Sequence, residues 1–176
     1  PSDPNNPTTT SSNVTDDYGT IGGGAGNQAG DAAGSSQDRR MATVGGGYKN
    51  TACGTSSTVG GGNQNTANGG GATVAGGKFN TASGVFAAIA GGYENVAAGD
   101  YSFAAGRRAK APAAADGAFV FADSANFDFS SPVANAFYVR ARGGVAFVTA
   151  INGAGGPTAG VQVTAGSNSW ASISRK

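Results

Sequence analysis

The sequence predicts an all-β protein, a parallel β-roll or β-solenoid with 15-residue coils followed by a small β-rich module. Three observations carry this reading. Between Val44 and Phe103 the chain repeats every 15 residues without a gap, each coil a variation on V-G-G-G-x-x-N-T-A-x-G. Such a coil is too short for a helix pair, lacks helical periodicity and is rich in Gly, which helices penalise. A β-branched residue also opens every coil at Val44, Val59, Val74 and Ile89. Disordered tracts do not keep that order, and collagen is excluded because Gly does not recur at every third position.

In chain order, residues 1–20 read as an extended arm, because the first 15 are rich in Pro, Asn, Ser and Thr with scarcely any apolar residue. Residues 21–111 form the repeat array. Its first coil, IGGGAGNQAG from Ile21, is stretched to 23 residues by an insertion around Ser35 to Arg40. Residues two apart share a face of a strand. The pairs Ser57 and Val59, Ala72 and Val74, and Ala87 and Ile89 therefore point into a narrow interior whose core is Val44, Val59, Val74 and Ile89. Small residues in the second strand, such as Ala52 and Gly54 or Ala67 and Gly69, let the two strands of a coil approach closely. Gly runs such as Gly45 to Gly47 supply the corner. Asn50, Asn65, Asn80 and Asn95 recur at one step of every coil, where they either stack as an amide ladder or accept left-handed geometry after the turn.

Residues 112–165 read as a second β module, because Phe119, Phe121, Phe127, Phe129, Phe137, Tyr138 and Phe147 crowd into it while Gly thins out. AFVFA from Ala118 and AFYVRA from Ala136 alternate as strands do, and GGVAFVTA from Gly143 reads as a hairpin partner turning at Gly143 and Gly144. Asn152 to Pro157 is loop, Val161 to Thr164 a short strand, and residues 166–176 a tail.

A single thin roll buries little. Five coils about 4.8 Å apart make a rod of only about 24 Å, and the chain has 32 Gly with one Met and one Trp to fill a core. The outward slots grow more apolar along the array, from Thr58 and Thr73 to Ala88 and Phe103, and from Ser56 and Gly71 to Phe86 and Tyr101. That stripe makes Phe86, Tyr101 and Phe103 the candidate interchain interface, and the chain's first expected partner is itself. Formal net charge is +1, which supplies no strong field for nucleic acid or an anionic membrane. Arg107, Arg108 and Lys110 read as a solvated basic corner. The lone Cys53 occupies the variable slot held by Asn68, Ser83 and Ala98, so it has no intrachain disulfide and reads as a tolerated small residue or an interchain bridge. There is no apolar stretch of transmembrane length and no signal peptide, and a chain opening on Pro1 is expected to be a processed piece.

The stretch Ser102-Phe103-Ala104-Ala105-Gly106-Arg107-Arg108-Ala109-Lys110-Ala111 resembles the S-V-A-I-G-x-x-A-x-A signature of trimeric autotransporter adhesin heads. The V-G-G-G-x-x-N-T-A-x-G coils are similar to a variant repeat of such head and fibre proteins. The resemblance spans residues 21–111 and implies a homotrimeric, left-handed parallel β-roll in an extracellular fibre, with a host-surface glycan or protein as a further partner. At the other end, Ser169-Trp170-Ala171-Ser172-Ile173-Ser174 resembles the run before the self-cleaving chaperone of endosialidase-type tail fibres, with Arg175 where those proteins carry Asp. Together they imply a location on a cell surface or a virion tail fibre.

Catalytic readings find little to work with. The chain has no His, which removes the commonest general base and metal ligand. The period of 15 does not fit hexapeptide acyltransferases, and the array repeats Asn, Thr and Ala where calcium-binding nonapeptide repeats need Asp. Gly45 to Gly47 run into Tyr48 and Lys49, not the G-K-[ST] of a phosphate loop. The Thr58, Thr73 row of an ice-binding face breaks at Ala88. Asp116, Asp123 and Asp128 could imitate a paired-acid glycosidase site but read as turn residues beside Gly117, Ser124 and Ser130. The expectation is a non-enzymatic structural protein without cofactor or metal, a homotrimeric segment of an extracellular adhesive fibre. The alternatives are a subunit that polymerises end to end into filaments, and a carbohydrate-binding or carbohydrate-cleaving fibre module.

Overall fold

A computed structural model describes residues 11–35 and 39–174, and divides the chain into two units, residues 1–139 and 140–176. Every regular element among the described residues is a β-strand. In the first unit each coil gives one short strand to each of two eight-stranded sheets. One sheet runs from Asn13–Val14 through Gln28–Ala29, Thr51–Ala52 and Thr66–Ala67 to Phe129–Ser130, and the other from Thr20–Ile21 through Thr43–Val44 and Thr58–Val59 to Phe137–Arg140. Pairing is parallel, with Thr43 against Thr58, Thr58 against Thr73 and Thr51 against Thr66, so equivalent residues of successive coils lie in register. The protein is thus a parallel β-solenoid of about eight turns.

Within a coil the chain alternates. Val44, Val59, Val74 and Ile89 from one sheet and Ala52, Ala67, Ala82 and Ala97 from the other are buried and meet in a thin core. Each fully buried Val or Ile contributes about 2 kcal/mol. Ser57, Ala72, Ala87 and Ser102 fill the remaining inward slots.

Two corners per coil are built on left-handed residues. One column holds Lys49, Gln64, Phe79, Glu94 and Arg108, the other Met41, Ser56, Phe86, Tyr101 and Asn135, all at φ between 52° and 64°. Each donates its amide to a neighbouring coil, as Gln64 does to the Tyr48 carbonyl at 2.8 Å and Tyr101 to the Val85 carbonyl at 2.8 Å. Gly62 and Gly77 need their lack of a side chain for a second reason besides φ of 93° and 92°: a Cβ there would strike the carbonyl of the glycine one coil on.

The Asn column, completed by Asn27, settles between the two roles open to it in the sequence. Asn50, Asn65, Asn80 and Asn95 are fully buried, and none of them is left-handed, since that geometry falls on the residue before each. They form a ladder instead. The Asn65 backbone N–H and Nδ2 both donate to Asn50 Oδ1, at 3.0 and 3.1 Å, while its Nδ2 also donates to the carbonyls of Gly61 and Gly77, at 3.0 and 2.9 Å. Asn80 repeats the pattern on Asn65, and Asn95 on Asn80.

The solenoid is longer than the repeat. It begins before Ile21, with Asn13–Val14 in its first coil, and continues past residue 111. Phe119, Phe121, Phe129, Phe137 and Tyr138, expected in a separate module, are solenoid residues: Phe103 pairs in parallel with Phe119, and Ala109 with Phe129. The boundary was hidden because the spacing slips there. Equivalent positions lie 15 residues apart from Asn50 to Asn65, but 14 from Asn95 to Ala109, 16 from Asp100 to Asp116 and 20 from Arg108 to Asp128. Eight coils about 4.8 Å apart make a stack of about 38 Å instead of about 24 Å. Of the arm, residues 1–10 lie outside the described residues.

The second unit is a three-stranded antiparallel sheet of Gly144–Ile151, Pro157–Thr164 and Ala171–Ser174. The hairpin partner of Gly144–Ile151 is therefore Pro157–Thr164, not the AFYVRA segment, which joins the parallel stack. The central strand starts at Pro157, earlier than the Val161 expected, and the tail expected from residue 166 contributes the third strand. The Gly144 amide does close a turn onto the Ala141 carbonyl at 2.8 Å.

Replacing Asn65 by Ala should strip the half-buried Gly61 carbonyl of its side-chain donor and the buried Asn80 N–H of its acceptor, at about 1–3 kcal/mol for each group left unpaired, while the Gly77 carbonyl keeps the Asn63 N–H. Urea unfolding should register a loss of several kcal/mol, whereas Asn68→Ala, at an exposed outward slot, should leave the midpoint unchanged.

Candidate functional site

The surface carries three features that repeat or change systematically along the stack. The first is the outer face of the sheet holding Thr43–Val44. One outward column reads Thr43, Thr58, Thr73, Ala88, Phe103 and Phe119, and its neighbour Gly45, Gly60, Ala75, Ala90, Ala105 and Phe121. No charged side chain interrupts either. In-register pairing stacks the rings: Phe103 and Phe119 have centroids 4.8 Å apart with 5° between planes, and Phe119 and Phe137 lie 4.8 Å apart at 19°. Rings stacked this way present edges outward, which suits a flat apolar neighbour better than a sugar ring seeking a free π-face.

The second feature adjoins the first, since the chain passes from corner to face in two residues. Phe86 and Tyr101 stand on the corner at 60% and 68% exposure, stacked at 5.8 Å and 17°. Both are left-handed, at φ 54° and 57°, where bulky side chains cost roughly 1–2 kcal/mol. Ser56 and Gly71 hold the same corner two coils earlier without an aromatic. Strain and exposure thus coincide at Phe86 and Tyr101, whereas Phe103, two residues after Tyr101, is half-buried and unstrained on the face itself.

The opposite corner carries the third feature, a mixed cluster. Arg108 donates to Glu94 in the preceding coil at 2.7 Å and to Asp128 in the following one at 2.8 Å, and Lys110 lies 3.9 Å from Asp128. Hydrogen bonding to Asp128, ahead of the nearby carboxylate charges, holds the Arg108 guanidinium above its ordinary range. Arg107 lies over the Tyr93 ring at 5.7 Å, and the hydrogen bond to Glu94 raises the Tyr93 phenol. The basic corner read from sequence is therefore an ion-paired staple. It sits where the Asn ladder ends, since Asn95 Oδ1 accepts from Ala109, which has no side-chain amide to continue it.

The three candidate acids serve local structure, Asp123 in its own turn and Asp116 and Asp128 between coils. Asp116 Oδ1 accepts the Asp100 amide at 2.9 Å, Asp123 Oδ1 accepts that of Ala125 at 3.1 Å, and Asp128 is held by Arg108. Among the described residues no group of three or more His, Cys, Asp or Glu is placed to hold a metal, and no helix is long and apolar enough to cross a membrane. Cys53 is half-buried on the other sheet's outer face, and burial pushes its thiol up, against a smaller lowering by Arg39.

Compared with known families and with characterised proteins, the chain matches no family model and no characterised sequence. The solenoid with its 15-residue coils is consistent with the roll that the adhesin-head resemblance implies, while no match supports membership in either family named above. Signals for the strip were present in the sequence. The ion-paired staple was not legible, because Glu94, Arg108 and Asp128 meet only through irregular spacing.

Two outcomes follow. Phe86→Gly trades a stack worth about 0.5–1.5 kcal/mol against relief of comparable strain, so its urea midpoint should stay close to wild type while self-association weakens. Cys53, with its thiol raised, should be alkylated several-fold more slowly than free cysteine at pH 8 and catch up only at more alkaline pH.

Proposed function

We propose that the protein is a non-enzymatic structural segment of an extracellular fibre, built as a homotrimer whose uncharged faces pack against one another. The observation that carries this is the pair of uncharged outward columns crowned by Phe103, Phe119 and Phe137, with Phe86 and Tyr101 along their edge. An apolar strip of that extent on a thin rod favours burial against copies of itself. The second unit adds support. None of its described residues is buried, and Phe147, Ile151, Val161 and Trp170 stand 42–64% exposed, so its sheet has no core of its own. A small sheet of this kind needs a packed face to be stable.

Three is favoured over two by the adhesin-head resemblance, and an extracellular location by the same likeness. The role that suits such an object is presentation: three parallel rods repeat every surface feature threefold, which turns weak contacts with a glycan or protein into avidity. The absence of His and the commitment of Asp116, Asp123 and Asp128 to turns and ion pairs favour a structural role over glycan cleavage.

Light scattering at high ionic strength should give a mass near three times 16.9 kDa. Phe103→Glu with Phe119→Glu, which places carboxylates on the stacked column, should shift that mass to one chain while the β-rich circular dichroism persists. A wild-type monomer under these conditions would sink the reading.

A further inference from the structure

The corner opposite Phe86 and Tyr101 falls on the two variable residues of V-G-G-G-x-x-N. In successive coils they read Tyr48-Lys49, Asn63-Gln64, Lys78-Phe79, Tyr93-Glu94 and Arg107-Arg108. Backbone bonds build this corner. Lys49, Gln64 and Phe79 donate their amides to the carbonyls of Ala25, Tyr48 and Asn63 in the preceding coil, at 2.9, 2.8 and 3.1 Å. Gly26 occupies the same place in the leading coil at φ 67° with no side chain, whereas Lys49, Gln64 and Phe79 adopt φ of 52°, 53° and 59° with long ones, for which that geometry is unfavourable. The fold therefore does not call for these side chains. What they share is chemistry: apart from Glu94 they are aromatic, cationic or amide, with no aliphatic residue among them.

The corner divides into two halves. In the later coils the groups answer one another, since Arg108 is held by Glu94 and Asp128 and Arg107 lies over the Tyr93 ring. In the earlier coils nothing answers the lysines. The column Ala25, Tyr48, Asn63 and Lys78 and its neighbour Gly26, Lys49, Gln64 and Phe79 hold no carboxylate, and among the described residues neither Lys49 nor Lys78 is ion-paired. Each ammonium stands beside a ring instead, Lys49 Nζ 5.1 Å from the Tyr48 centroid and Lys78 Nζ 4.7 Å from that of Phe79. Tyr48 is 42% exposed, and its neighbours in the stack are Ala25 and Asn63, not other rings. Between the two lysines, Asn63 Oδ1 is shielded from solvent yet accepts no hydrogen bond, so this amide has a donor to gain.

We infer that the corner from Tyr48 to Phe79 binds an acidic glycan, with carboxylates on Lys49 and Lys78, a sugar C–H face on Tyr48, and hydroxyls on Asn63 and Gln64. The lysines stand two coils apart, about 10 Å along the stack, close to the length of a disaccharide. A polymer with a carboxylate on every second sugar thus meets both as it runs along the corner. An ammonium beside an exposed ring suits such a ligand, which combines charge with apolar C–H surface in one repeating unit. Nucleic acid fits less well, because duplex DNA presents about six charges in the same about 10 Å, against two lysines. This rests on the proposed presentation role for its setting and names the class of partner presented to. The site itself lies within one chain and does not need the trimer, which would repeat it threefold.

The test measures retention of the full chain on immobilised hyaluronan, whose carboxylates fall on alternate sugars, beside dextran, polyglutamate and oligothymidylate, with light scattering of each sample. The expected result is binding to hyaluronan and not to dextran, weaker at about 1 M than at about 0.1 M NaCl as the Debye length falls from about 10 Å to about 3 Å. Lys49→Ala with Lys78→Ala, and separately Tyr48→Ala, should each weaken binding several-fold. Arg40→Ala, which removes one cation from the other corner, should leave it unchanged. All these variants should keep the wild-type urea midpoint, which guards against loss by unfolding. Absence of binding to hyaluronan would overturn the site at any mass, and with trimers present would leave the proposed function standing. Equal binding to polyglutamate, tighter binding to oligothymidylate, or wild-type binding by the lysine or tyrosine variants would also overturn it. Monomers that bind hyaluronan through these lysines would support the site and remove the trimer.

Discussion

A strand of two residues cannot hold itself in place, and the solenoid is made mostly of such strands. What fixes them is the column of buried asparagines at one corner. Each Asn amide spans the tight corner of its own coil and the glycine carbonyl of the next, while its Oδ1 receives both the backbone and the side chain of the following Asn, as between Asn65 and Asn80. The amide gives the Gly61 carbonyl a donor within its own coil and adds a second one to the Gly77 carbonyl, which already accepts from the Asn63 N–H, so one buried side chain ties three coils at the corner. The glycines and the asparagine are therefore a single device. Glycine lets the coils approach, close approach buries the Asn side chain, and a buried amide must be hydrogen-bonded.

That coupling explains which parts of the architecture could be read in advance. From Asn50 to Asn95 every coil has the same length and the register is visible as a period, while between Asn27 and Asn50 the same ladder accommodates a 23-residue coil. After Asn95 the ladder stops, at Ala109, and the spacing becomes irregular. Later coils are held by other means: the Arg108 staple to Glu94 and Asp128, and the stacked rings of Phe103, Phe119 and Phe137. These tolerate insertions between strands, so the period dissolves although the stack goes on. The aromatic segment looked like a different module because larger residues took over the outer face while Val120 and Ala122 still filled the same inward slots. The third strand of the second unit, Ala171–Ser174, was illegible for a different reason, since four residues rich in Ser carry little strand signal of their own and gain it from pairing with Pro157–Thr164.

The candidate strip shows the opposite relation between local cost and position. Left-handed geometry is imposed at every corner by the winding of the coil, and Gly71 accepts it freely. Phe86 and Tyr101 accept it at a cost that their mutual stack only about offsets, and both remain largely in solvent. Their neighbours in the stack do not need them either, because Ser56 makes the same backbone bond to Arg40 that Phe86 makes to Gly70. Residues that are strained, exposed and dispensable to their own fold are the ones to associate with contacts outside it.

A stack of this kind also has a problem that no repeat within it can solve. Each coil is satisfied by two neighbours, so the first and last are satisfied by one, and solenoids need caps or continuation at their ends. Among the described residues the first coil's strands, Asn13–Val14 and Thr20–Ile21, each pair with one neighbouring strand only, so the leading coil keeps open edges that the coils behind it do not. The register that the ladder imposes on every inner coil is therefore available there to a further strand, and continuation of the stack satisfies the same backbone groups that a cap would.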